Sequence, residues 1–158
     1  MTKIKGAQND DFSEANEVPS NWVKWNVEGE DKIIGTLTRK WLVDNQFQPG
    51  EKVENYELKA DYGEFHEVDA KKKLIEAPIV INEGDMWSVG GKESIQKQMA
   101  NIKIGQKVGF KFVALMESKT KGFAPAKVIK VYAPKNDDGS VKMDTEWLEE
   151  NGSVKEDF

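Results

Sequence analysis

Between Lys107 and Ala133 the chain alternates apolar and polar residues with period two, and no other pattern in it restricts the fold as strongly. Val108, Phe110 and Phe112 alternate with Gly109 and Lys111. Beyond a turn at Lys119–Gly122, Ile129 and Val131 alternate with Lys130 and Tyr132. A strand sends successive side chains to opposite faces, whereas a helix repeats its apolar face every three or four residues. This stretch is therefore a hairpin with one apolar and one basic face. Pro134, which has no N–H for a ladder, ends it.

The same period recurs upstream. In Trp22–Trp41, read as two strands or one long bent strand around a turn at Gly29–Asp31, Ile33, Gly35, Leu37, Arg39 and Trp41 share one face. Gly35 inside a strand predicts a bulge or sharp bend, the device that lets a short sheet curl. Pro49-Gly50 marks a loop, after which Tyr56, Leu58 and Ala60 alternate with Glu57, Lys59 and Asp61. Ala77–Val89 reads as one or two more strands around Gly84-Asp85. Only Lys92–Ile104 has helical spacing, through Ile95, Met99 and Ile102, with Gly105 as its stop. Asp144–Glu150 has room for a turn or two of helix.

The expected fold is mainly β. Five short strands with one helix between the third and fourth is the element order of an oligonucleotide/oligosaccharide-binding (OB) barrel. The expected organisation is a disordered polar arm over residues 1–20, a barrel over 21–135, and a disordered acidic tail over 136–158.

Composition excludes much chemistry. With no cysteine, there is no disulfide and no thiolate metal site, and the single histidine, His66, reads as a loop or surface residue. Phosphate-loop, nucleophile-elbow and dinucleotide motifs are absent. The expectation is a non-enzyme without cofactor or metal. The polar start and the lack of a long apolar stretch predict a soluble, cytoplasmic protein.

The net charge of −5 hides an asymmetry. Residues 101–135 hold eight lysines against one acid, and residues 136–158 hold eight acids against two lysines. A basic body beside an acidic segment suits a polyanion ligand whose binding the acids regulate. Single strands are held by cations along the phosphates and aromatic faces against the bases. The chain interleaves these types, nominating Trp25, Arg39, Trp41, Lys111, Lys119, Lys121, Phe123, Lys127, Lys130 and Tyr132. Phe110 and Phe112 share a face with Val108 and belong to the core, as does Trp87.

Three segments carry a resemblance to bacteriophage OB-type single-stranded DNA-binding proteins. Lys103–Phe110 (KIGQKVGF) is similar to the entry into their fourth strand. The basic hairpin from Glu117 to Gly122 leads into Lys127–Tyr132 as theirs does. The acidic end closing on Glu156-Asp157-Phe158 resembles their tails. The resemblance implies a protein of DNA replication or recombination that coats single strands without base specificity. It also implies that Glu156, Asp157 and Phe158 dock replication or recombination proteins and compete with DNA. The alternative expectation is a protein–protein adaptor or virion component built on a small barrel.

Overall fold

The computed structural model describes residues 21–45, 49–117 and 125–151. The expected arm (1–20) lies outside them, as do Lys119, Lys121 and Phe123 and the terminal Glu156, Asp157 and Phe158. Six strands and two short helices follow in order: β1 Lys32–Asp44, β2 Lys52–Phe65, β3 Ile79–Ile81, β4 Met86–Val89, α1 Glu93–Met99, β5 Lys107–Met116, β6 Ala126–Tyr132 and α2 Thr145–Glu150.

All six strands join one antiparallel sheet in the order β3-β2-β1-β5-β6, with β4 also on β2. β2 is long enough for β3 to pair with its end (Gly63–Phe65) and β4 with its middle (Tyr56–Lys59) along the same edge. The mainly β expectation holds, and the strands form an open sheet where a five-stranded barrel was expected. The sheet has one strand more and stays open between β4 and β6.

Both edges of that seam are covered, as exposed edges must be if they are not to pair with other chains. Residues 21–23 lie along β4, with Val23 N–H donating to the Ser88 carbonyl and Ser88 N–H to that of Asn21. On β6, the Gln98 side chain of α1 donates Nε2–H to the Ile129 carbonyl (3.0 Å) and accepts the Val131 N–H (2.9 Å). One glutamine thereby makes two hydrogen bonds that a neighbouring strand would make.

The core collects the apolar faces: Ile33 and Leu37 from β1, Tyr56, Leu58 and Phe65 from β2, and Val108, Phe110 and Phe112 from β5, with Ile129 from β6. Ile95, Met99 and Ile102 are buried as their spacing predicts, although α1 stops at Met99, short of the expected Ile104. Trp87 packs on this core, its ring edge-on to Phe65 at 5.3 Å.

Bulges decide which side chains face out. The register shifts between Ile34 and Gly35, leaving Asp61 of β2 unpaired, and between Leu37 and Arg39, leaving Thr38 unpaired. A Cβ on Gly35 would stand 2.2 Å from the Lys59 carbonyl oxygen, so the close approach at the predicted bend admits only glycine. The second shift corrects the expected face of β1. Past Thr38 it is Lys40 that stands opposite buried Tyr56, while Arg39 and Trp41 stand opposite Glu57 and Asn55.

Two further expectations are corrected. His66 is buried, with Nδ1 2.7 Å from Oδ1 of fully buried Asp31. That carboxylate also accepts the backbone N–H groups of Asn26, Val27 and His66, tying the turn before β1 to the end of β2. The acidic segment is folded as far as residue 151. It forms bridges Lys135↔Val141 and Gln106↔Met143 and then α2, capped by the Asp144 side chain on Trp147 N–H.

Candidate nucleic-acid interface

The outer face of β2-β1-β5-β6 carries two parallel rows. The pairings Ile34↔Tyr62, Ile34↔Gly109 and Gly109↔Tyr132 place Tyr62, Ile34, Gly109 and Tyr132 in a line across four strands. One pleat away, Lys32↔Glu64, Lys32↔Lys111 and Lys111↔Lys130 form the line Glu64, Lys32, Lys111 and Lys130. Residues between the rows, Ile33, Gly63, Phe110 and Val131, face the core side, so both rows face out.

Tyr62 and Tyr132, at the ends of this row, are 58% and 46% exposed, which leaves both rings accessible to a ligand. Between them Gly109 contributes no side chain. The result is a shallow hollow of about 290 Å³ lined by Lys32, Ile34, Tyr62, Gly109, Lys111 and Tyr132.

The lysine row is electrostatically costly. Like charges directly opposite on neighbouring strands destabilise a sheet by roughly 0.2–1 kcal/mol per pair. Among the described residues none of Lys32, Lys111 and Lys130 forms an ion pair, and the one acid in the row, Glu64, stands opposite Lys32 only. A bound polyanion would remove that repulsion.

On the far side of the tyrosines the next row is already neutralised. Lys107 pairs with Asp61 at 2.8 Å and lies 3.9 Å from Asp144. Thr36 Oγ1 donates to Asp144 Oδ2 at 2.6 Å. Burial opposes the charge on Asp144. The bonds from Thr36 and Trp147 N–H, with Lys107 and Lys59 nearby, outweigh it and hold the carboxyl below its usual range. The acidic segment thus ends the cationic surface beside the tyrosine row.

The residues nominated by sequence divide among three places. Lys111, Lys130 and Tyr132 lie together in the two rows. Arg39 and Trp41 lie beyond the Thr38 bulge, with the guanidinium 4.7 Å and the Trp22 ring centroid 6.2 Å from the Trp41 ring centroid. Trp25 packs against the core at the seam, where its carbonyl accepts the Lys127 ammonium. Lys119, Lys121 and Phe123 lie outside the described residues. Sequence reasoning missed Lys32, Ile34 and Tyr62. Strict alternation from Tyr56, Leu58 and Ala60 would turn Tyr62 inward, and the bulge at Asp61 turns it out.

A larger hollow of about 560 Å³ between the β1–β2 hairpin and α1 suits an anionic strand less well. Asp44, Glu51 and Glu93 line it beside Lys52 and Lys92, no aromatic among the described residues does, and Lys52 is paired with Asp44. Burial and the nearby Lys127 push the Lys92 ammonium below its ordinary value. Among the described residues no cluster of acids or histidine suits a metal ion. Asp31 and His66 line neither hollow.

Comparison with protein-family models, with curated proteins and with solved structures found no match to this chain.

Proposed function

We propose that the chain is a single-stranded DNA-binding protein that works by stacking and charge, without base specificity and without catalysis. The observation that carries this reading is the pairing of two exposed tyrosines, flanking a shallow hollow, with an adjacent row of three lysines that form no ion pair among the described residues. Aromatic faces hold any base, and each stacked base contributes about 1–3 kcal/mol. A flat platform also disfavours duplex, whose bases are not free to stack on it.

An OB-type barrel is the finer reading of the fold. What supports it is that β1 lies between β2 and β5, that β4 pairs with β2 and β6 with β5, and that the helix falls between β4 and β5. β3 is then an insertion, and the seam is the opening of a partly open barrel. Replication or recombination of phage DNA in the host cytoplasm is the setting this reading implies. Regulation by the acidic segment draws support from Asp144 beside Thr36 and Lys107, and partner docking through Glu156–Phe158 from sequence alone.

The test is an anisotropy titration of labelled oligo-dT across a salt series. For three phosphates neutralised, log K should fall with log[salt] at a slope of about −2. Absence of binding at low salt, or equal affinity for duplex, would sink the reading. The adaptor reading draws on exposed Leu74, Ile75 and Val80 at or beside edge strand β3. A stable oligomer by light scattering, without DNA affinity, would replace the first reading with it.

A further inference from the structure

The spacing of the two rows sets how a strand would lie on them, if the rows are the binding surface proposed above. Tyr62 and Tyr132 stand on β2 and β6, with β1 and β5 between them. Neighbouring strands are about 4.8 Å apart, so three spacings separate the tyrosines by about 14 Å. A stacked single strand rises about 3.4 Å per nucleotide. Adjacent nucleotides in a stack therefore cannot reach both rings. Two steps of a backbone drawn out to about twice that rise span the distance.

The lysine row runs parallel to the tyrosine row, two residues away along each strand, or about 6.7 Å. That offset matches a phosphate separated from its base by the sugar. The strand therefore crosses the β-strands instead of following them, with its backbone over Lys32, Lys111 and Lys130. Between the two stacked bases, one base remains. Below it lies Gly109, the residue in the row with no side chain, next to Ile34.

We propose that this face binds a three-nucleotide unit, with the outer bases stacked on Tyr62 and Tyr132 and the middle base seated in the hollow over Gly109. The unit is read by position and not by base identity, because a tyrosine face and a shallow floor of Ile34 and Gly109 offer every base a similar contact.

The test uses thymidine trinucleotides, intact or with one abasic position, titrated into the full chain by NMR and followed at the Gly109 amide. Losing either outer base should weaken binding at least fivefold, and losing the middle base less than threefold. Gly109→Leu should weaken binding of intact dT3 and leave that of the middle-abasic trimer within twofold of the unsubstituted protein. The proposal is overturned if all three abasic positions cost the same, or if dT3 does not perturb Gly109 while a dT10 strand still binds. In those outcomes DNA binding stands and the three-nucleotide placement falls. If dT10 does not bind at all, the binding surface falls with it.

Discussion

Substituting Gly109 by valine should move stability and affinity in opposite directions. A Cβ there would meet Ile33 O and the Ile34 side chain at 3.5 Å, which is ordinary contact. Gly109 does not sit at a positive φ, so a β-branched residue adopts its backbone conformation without strain. Glycine in a strand interior costs roughly 0.5–1 kcal/mol relative to alanine, and valine adds β-propensity. The variant should gain about 1 kcal/mol, read as a higher urea midpoint at unchanged slope. For a domain of about 120 residues that raises Tm by roughly 4 °C. The isopropyl group would fill the floor of the hollow between Tyr62 and Tyr132. The base displaced there has no aromatic face to stack on, so affinity for oligo-dT should drop only about two- to threefold. A stabilised variant that binds with undiminished affinity would refute the placement of the ligand. A destabilised one would refute the account of the face.

Asp31→Ala removes the acceptor of three backbone N–H groups and of the His66 ring. Leaving buried donors unpaired costs about 1–3 kcal/mol each and is less than additive, so a loss of about 3–5 kcal/mol in urea unfolding is expected. Replacing Lys32, Lys111 or Lys130 by alanine should each flatten the salt dependence by about 0.7, measured by anisotropy, and replacing Lys111, which stands between two lysines, should raise stability by up to about 1 kcal/mol in urea unfolding. Asp144 has a folded pKa below its unfolded value, so its stabilising bonds are fully present above the usual Asp value of about 3.9 and are lost as pH falls through the lowered value. NMR of the Leu148 methyl groups, which approach Gly105, should follow release of α2 in that acid window, and Asp144→Asn should abolish the step.

Period two made the apolar face of β5 and β6 legible, and with it the burial of Phe110 and Phe112 and the outward aim of Lys111, Lys130 and Tyr132. The spacing of Ile95, Met99 and Ile102 located α1, and Gly35 announced a bend. What the sequence concealed came from single-residue insertions. Thr38 and Asp61 each shift the register, reversing the faces of everything beyond them, so Arg39, Trp41 and Tyr62 all sit opposite to strict alternation. The row of lysines was hidden for another reason. Lys32 is far from Lys111 and Lys130 in sequence, and only pairing across β1 and β5 makes them neighbours. His66 looked like a surface residue because its partner, Asp31, belongs to a turn thirty-five positions away.

Gln98 gives the seam its own dynamics. The Val131 amide is held there by a side chain of α1 and not by another strand. Its solvent protection then depends on α1 staying docked, whereas the amides that join β5 to β6 depend on the sheet itself. In native-state hydrogen exchange Val131 should report the free energy of undocking the helix, well below that of global unfolding. Shortening that side chain should speed exchange at Val131 selectively, so that one backbone amide measures how often the helix lifts away from the open side of the sheet.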